Sequence, residues 1–220
     1  MLKQLKVDFV SDISCPWCAI GLAALELALT QVQAEVEAHI HVQPFELNPQ
    51  MPPGGQDIGE HLTQKYGSTP EQQAQIRDTI RQRGADVGFS FNPSGRGRIY
   101  NTFDAHRLLH WAGLTDAPKQ LDLKKALLAA CHTHSQAMES HDVLLAAAVQ
   151  AGLDRDQAQS VLESDAFTAE VRAAEALYNG LGIHSVPAVI INDRHLISGG
   201  QPASVFAQAL RQIAAESDAP

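Results

Sequence analysis

Residues 15–18 read Cys-Pro-Trp-Cys, and the sequence on either side of this tetrapeptide decides the fold. Apolar and polar side chains alternate over residues 5–10, a pattern that predicts a β-strand. Residues 20–29 are mostly leucine, alanine and isoleucine, which predicts a largely buried helix that begins near Cys15. A second strand is predicted over residues 38–43. The tetrapeptide therefore lies at the strand-to-helix junction of a β-α-β unit.

The remainder of the chain divides into a long helical stretch and a short β-containing end. Helical periodicity runs from residue 57 to residue 179, with breaks at glycine- and proline-containing loops. The strand pattern returns over residues 186–191 and again over residues 195–197. A last helix with an apolar stripe is predicted from about Pro202.

These segments predict an α/β protein with one large insertion. The β-containing ends are each too small to cover both faces of a sheet, so they must pair with each other. We therefore expect residues 1–50 and 180–220 to form one domain and residues 51–179 to form an inserted all-helical domain.

Composition excludes some classes of partner and compartment. The chain has 16 basic and 25 acidic residues, a formal charge of −9, so it lacks the positive charge that attracts nucleic acids and anionic membranes. The sequence shows neither a secretory signal nor an apolar run long enough to cross a bilayer, and we expect a cytoplasmic location. Three cysteines are too few, and odd in number, for a disulfide-stapled secreted scaffold. Any disulfide in this protein should be catalytic.

The two cysteines of the motif have the spacing that thiol-disulfide exchange requires. Cys15 would attack a disulfide of the partner, and Cys18, one helical turn further inward, would resolve the mixed disulfide. The helix N-terminus favours an anion, which predicts a lowered pKa for Cys15. Pro16 suits the first helical turn and stiffens the ring between the sulfurs. Trp17 adds no charge, so the site should be less oxidising than one with histidine at that position.

Other interpretations of the motif remain open. Two cysteines could be half of a zinc site, but zinc requires two more ligands. Cys131 is the only further thiol, and His132 and His134 beside it fall on different faces of a helix. We predict no metal site, and Cys131 is interpreted as a core thiol because it follows an apolar helical run.

With these residues in view, the chain resembles the FrnE family of DsbA-like proteins over nearly its whole length. The resemblance is carried by the Cys-Pro-Trp-Cys motif after the first strand, the long helical insertion, and Val186-Pro187 before a late strand. It implies a thioredoxin-like fold in which Pro187 is cis and lies against the active-site sulfurs. It also implies that the Val186 backbone receives an extended substrate.

Residues 101–108 are similar to a segment of this family and of its relatives, the hydroxychromene-carboxylate isomerases and the kappa-type glutathione transferases. There the segment faces the catalytic loop. The resemblance implies that Asn101 and His106 are pocket residues, without a catalytic role. Those relatives generally carry serine where this sequence has Cys15, so the presence of both thiols favours dithiol exchange.

The sequence thus predicts a thiol-disulfide oxidoreductase with catalytic residues Cys15 and Cys18 and substrate-binding residues at Pro16, Trp17, Val186, Pro187, Asn101 and His106. No metal or nucleotide cofactor is expected, and glutathione is a candidate redox partner. The substrate would be a protein or small molecule that carries a thiol or a disulfide, and the chain has room to form a homodimer. Two alternatives are a glutathione-dependent transferase or isomerase for a small aromatic molecule and a chaperone-like polypeptide-binding module.

Overall fold

The computed structural model describes residues 2–216. Within that range the elements, in chain order, are β1 (Lys3–Ser11), α1 (Pro16–Val32), β2 (Val36–Pro44), β3 (Gln56–Asp57), α2 (Ile58–Tyr66), α3 (Pro70–Asp86), β4 (Arg98–Ile99), α4 (Phe103–Thr115), α5 (Ala117–His132), α6 (His141–Gln150), α7 (Arg155–Leu162), α8 (Thr168–Gly180), β5 (Ala188–Ile191), β6 (His195–Ser198) and α9 (Ala203–Glu216). The helices α2 to α8 all lie between β2 and β5.

Strands from both ends of the chain form one mixed sheet of order β2-β1-β5-β6. β1 runs parallel to β2, with α1 as the crossover, and antiparallel to β5. β5 then pairs antiparallel with β6. The predicted α/β class, in which the two β-containing ends pair and a helical segment is inserted between them, is confirmed. This pairing brings the loop before β5 next to the start of α1.

Most of the buried apolar side chains among the described residues belong to two large cores, and a smaller cluster surrounds Val10, Phe45 and Tyr178. The sheet core packs β1 against α1 and α9, and the helical core is built mainly from α4, α5, α6 and α7. Each core also contains side chains from the other part of the chain. Leu128 of α5 belongs to the sheet core, whereas Ile13 and Val42 belong to the helical core. The loop between β1 and α1, which contains Ile13, therefore lies where the two cores meet. The predicted domain limits, residues 1–50 with 180–220 and residues 51–179, stay a prediction.

The structure differs from the sequence-based expectation in two places. The middle of the chain is not entirely helical, because the two-residue strands β3 and β4 pair antiparallel. Strands this short have no periodicity that a sequence can display. The late strand begins at Ala188 rather than at Val186, because Pro187 has no amide hydrogen for the sheet. Across residues 2–216, no helix combines the length and the apolar character needed to cross a membrane.

Candidate active site

The turn from β1 into α1 is fixed by Asp12. Its Oδ1 accepts a hydrogen bond from the Ser14 amide at 3.0 Å, and its carbonyl oxygen accepts one from the Cys15 amide at 3.3 Å. Oδ2 accepts from the Leu47 amide at 2.7 Å, which ties the turn to the segment that follows β2. Cys15 is the N-cap of α1, and Pro16 stands at the first helical position, where no amide hydrogen is needed. The first sulfur is thereby held at the end of the helix.

Cys15 and Cys18 are free thiols with different access to solvent. Cys15 is 4% exposed and Cys18 is 0% exposed. The Cys18 amide donates to the Cys15 carbonyl oxygen at 3.1 Å, which places the second sulfur one turn further into the protein. Trp17, between them, is half-buried. Cys15 thus has a small exposed surface, whereas Cys18 is fully enclosed.

The surroundings push the pKa values of the two thiols in opposite directions. A hydrogen bond from the Cys18 thiol, and then the amide groups of the first turn of α1, lower the pKa of Cys15 despite its burial. Burial, followed by the neighbouring Cys15, raises the pKa of Cys18 well above its ordinary value. The predicted lowering for Cys15 is confirmed. Of the two thiols, Cys15 is therefore the one that ionises more readily.

A second loop reaches Cys15 from the end of the chain. The Val186–Pro187 peptide bond is cis, as the resemblance implied, and the Cys15 thiol donates to the Val186 carbonyl oxygen at 3.7 Å. Val186 is half-buried and Pro187 is buried. This loop sits against α1 because Gly21 has no side chain: a Cβ there would lie 2.9 Å from Pro187 Cγ. Likewise, a Cβ on Gly200 would lie 3.0 Å from the Trp17 carbonyl oxygen.

His106 and Asn101, both predicted pocket residues, occupy different positions. His106 is 1% exposed, and its Nε2 lies 3.6 Å from Asp12 Oδ1, so the imidazole is behind the active-site turn. Neither imidazole nitrogen has a hydrogen-bond partner among the described residues. Asn101 is half-buried, and its Oδ1 accepts from the Phe103 amide at 2.8 Å at the start of α4. His106 therefore acts on the turn through Asp12, and Asn101 orders the entry to α4.

Arg96 and His132, to which the sequence assigned no role at this site, hold the active-site turn from the other side. Arg96 donates through Nη2 to the Ser14 carbonyl oxygen at 2.6 Å and contacts Cys131 Sγ through Nη1 at 3.1 Å. His132 Nε2 lies 2.9 Å from the Ile13 carbonyl oxygen. Burial lowers the pKa of His132 well below its ordinary value, so the neutral ring donates to this carbonyl. Arg96 lies between two glycines in a loop, and nothing in its local sequence indicates this role.

Comparisons with known proteins agree on one family. A family model described as "DSBA-like thioredoxin domain" matches residues 6–211. The crystal structure of the probable DsbA oxidoreductase SCO1869 from Streptomyces coelicolor is similar, with a TM-score of 0.89 and 33% identity over 98% of this chain and 92% of that chain. The Bacillus subtilis (strain 168) protein YwbO is 27% identical over 96% of both chains.

A third similar protein is described with glutathione. The cytosolic disulfide reductase DsbM from Pseudomonas aeruginosa, in its structure with GSH, has a TM-score of 0.63 and 16% identity over 94% of this chain and 98% of that chain. At this identity the likeness concerns the fold.

Proposed function

Because this chain belongs to the DSBA-like thioredoxin domain family, we propose that it exchanges disulfides through the dithiol pair Cys15 and Cys18. One observation carries the proposal. Cys15, at the N-terminus of α1, retains a small exposed surface, has a lowered pKa and contacts the Val186 carbonyl, while Cys18 is fully buried one turn away and has a raised pKa. A pair that served only to stabilise the fold would not need unequal access and opposite pKa shifts.

The proposed cycle uses each thiol once. The Cys15 thiolate attacks one sulfur of a substrate disulfide, a mixed disulfide forms, and the other substrate sulfur leaves as a thiolate. Cys18 then attacks Cys15 Sγ, which forms the Cys15–Cys18 disulfide and releases the second substrate thiol. Two equivalents of an external thiol return the pair to the dithiol. Run in reverse, the same steps oxidise a substrate dithiol.

The substrate would lie across the two loops that meet at Cys15. We propose that Val186 offers its backbone to an extended substrate beside Pro187, and that Pro16 and Trp17 form the opposite wall of the cleft. The half-buried state of Val186 and Trp17 supports this, because both have surface left to cover. We also propose that Asn101, which immediately precedes the N-cap of α4, lies at the edge of the same cleft.

Glutathione is the proposed source of reducing equivalents, in a cytoplasmic setting. A small thiol supports this proposal because it needs less room to approach the slightly exposed Cys15 than a folded protein does. DsbM, the reductase described with GSH, has a similar fold. In a compartment that keeps thiols reduced, the pair would act as a reductase or isomerase of disulfides in proteins or small molecules.

The test is equilibration of the purified protein in glutathione buffers that range from fully reduced to fully oxidised. Free thiols are then alkylated and located by mass spectrometry. We expect Cys15 and Cys18 to interconvert between dithiol and disulfide while Cys131 remains a thiol. Cys131→Ser, the matched control, should leave the midpoint potential unchanged, and the midpoint gives the direction of the reaction.

One result would contradict the proposal, and the behaviour of Cys15→Ser would then distinguish the two alternatives. If no disulfide forms between Cys15 and Cys18 at any ratio, exchange is not the activity. If Cys15→Ser also leaves the turnover of a small aromatic substrate with glutathione intact, the transferase or isomerase alternative takes its place. If Cys15→Ser leaves only the suppression of aggregation intact, the polypeptide-binding alternative takes the place of the exchange activity.

A further inference from the structure

Lys124, in the middle of α5, is a buried lysine without a hydrogen bond. Its side chain is 0% exposed and is among the largest fully buried side chains. Within residues 2–216, its Nζ has no hydrogen-bond partner. An ammonium group in such a position is strongly disfavoured, so lysine gives up its proton instead. Burial accordingly lowers the pKa of Lys124, which favours the neutral amine.

The Lys124 side chain lies in the interior, on the face of α5 that is turned towards α1. Leu128, one turn further along α5, packs in the sheet core together with Ala19 and Leu22 of α1. Since positions four apart share a helix face, Lys124 is also directed towards α1. The anionic groups that act on its charge are, in order of strength, those of Cys18, Asp12, Cys15 and Cys131. Cys18 is therefore the group with which Lys124 interacts most strongly.

Cys18 needs a base, because the thiolate and not the thiol attacks a disulfide. Water cannot reach Cys18, whose burial raises its pKa well above the ordinary value. Asp12 is too acidic to take the proton, since its pKa is lowered to about 2. His132, whose pKa is also lowered, uses Nε2 to hold the Ile13 carbonyl. Cys131 is a thiol whose own pKa is raised by burial, so it is not ionised and cannot act as a base. Among the ionisable groups that act on Lys124 or Cys18, this leaves the neutral amine of Lys124 as the acceptor of the Cys18 proton.

We propose that Lys124 accepts the proton of Cys18 in the step that resolves the mixed disulfide. The proton passes from Sγ to Nζ and leaves a thiolate beside an ammonium. The thiolate attacks Cys15 Sγ, the bond between the two cysteines forms, and the bond from Cys15 to the substrate sulfur breaks. Once the Cys18 thiolate has been consumed, the Lys124 ammonium releases its proton to solvent, the departing substrate thiolate takes up a proton from solvent, and Cys18 is protonated again when external thiols reduce the disulfide. This inference rests on the proposed exchange activity.

The experiment separates the two chemical steps in the full-length protein. Reduced protein is mixed with oxidised glutathione, quenched with acid at intervals, and analysed by mass spectrometry for the Cys15–glutathione adduct and the Cys15–Cys18 disulfide. In Lys124→Met, formation of the adduct should proceed at the wild-type rate, whereas its resolution should slow about 100-fold, the loss expected for a missing general base. Lys125→Met, which alters the exposed neighbouring lysine, is the matched control and should resolve at the wild-type rate.

The pH profile distinguishes proton transfer from a loss of packing. Resolution in Lys124→Met should accelerate about tenfold per pH unit through the neutral range, because the Cys18 proton must then be removed by hydroxide when the site transiently opens. The groups around Lys124 are Asp12, Cys15, Cys18, Cys131 and His132, and all of them are retained in the variant. A uniform slowing at every pH, or resolution at the wild-type rate, would overturn the proposal.

A second measurement needs no variant. In wild-type protein with ¹³C-labelled lysine, the Lys124 Cε resonance of the reduced protein at pH 7 should be that of a neutral amine, because only an uncharged amine can accept the Cys18 proton. The resonance of an ammonium in the reduced protein would overturn the role of Lys124 and leave the exchange activity standing. A wild-type protein that never forms the Cys15–Cys18 disulfide would overturn both.

Discussion

Asp12 illustrates how one buried side chain can set both the geometry and the pH dependence of the site. Its two carboxylate oxygens hold the amides of Ser14 and Leu47, and His106 lies on the remaining side. Burial alone would raise the pKa of Asp12, but His106 and these two amides outweigh it and lower the pKa from 3.8 to about 2. Because the pKa is lower in the folded state, Asp12 stabilises the protein above its unfolded value, and this contribution is lost as the pH falls towards 2.

We therefore expect Asp12→Asn to lower the free energy of unfolding at pH 7 by about 2 kcal/mol, the equivalent of the pKa shift. The variant should also lose less stability than the wild type when the pH is lowered from about 4 to about 2. Urea unfolding at a series of pH values measures both effects. Asp122→Asn, at an exposed position on α5, is the matched control. If Asp12→Asn loses stability in acid as steeply as the wild type, Asp12 is not the group responsible.

At the scale of elements, the sequence predicts what is determined locally. The alternation of apolar and polar residues over positions 5–10 and the leucine-rich run after Cys18 indicate directly which side chains are buried. β1 and α1 could therefore be predicted. The β3–β4 pair joins residues about 40 positions apart through two residues on each side, and only the folded chain brings them together. Gly21 is a similar case. Helix propensity alone disfavours a glycine within α1, and the need for one becomes evident only when Pro187 is seen to lie against it.

Gly21→Ala tests this contact between α1 and the proline loop. Alanine is the better helix former by about 1 kcal/mol, so an isolated helix would gain stability. Here the new Cβ would lie 2.9 Å from Pro187 Cγ, and the loop must move. We expect a net loss of about 1–3 kcal/mol, as for other overpacked sites, together with slower attack of Cys15 on oxidised glutathione. Urea unfolding and the adduct assay measure these effects.

Gly180→Ala, near the end of α8, is the control for helix propensity. No atom lies within 4 Å of the Cβ that would be added there. This variant should keep or increase stability and should react at the wild-type rate. If Gly21→Ala behaves in the same way, the close approach of Pro187 to α1 does not constrain the site.

At the scale of the whole molecule, the candidate site depends on packing between distant parts of the chain. The cysteine pair, four residues long, could be found in the sequence. Arg96 and Lys124 could not, because each reaches the site from a different part of the middle segment and has no distinguishing neighbours in sequence. His106 was indicated only by the resemblance of residues 101–108 to a family segment, and its place behind Asp12 was not. The mixed composition of the two cores has the same origin. Leu128 of the inserted helices packs in the sheet core, and Ile13, from the loop after β1, packs in the helical core.

This sharing of residues predicts that the sheet core and the helical core unfold together. The two tryptophans report on them separately, since Trp17 lies on α1 and Trp111 lies in the helical core. In urea, Trp17→Phe and Trp111→Phe should each show a fluorescence midpoint that coincides with the midpoint from far-ultraviolet circular dichroism. Adding Leu128→Ala should lower the two midpoints equally. The free energy of unfolding should fall by about 2–5 kcal/mol, as is typical when a buried leucine is truncated. Separate midpoints for the two tryptophans would instead indicate that the predicted segments 51–179 and 1–50 with 180–220 are independent folding units.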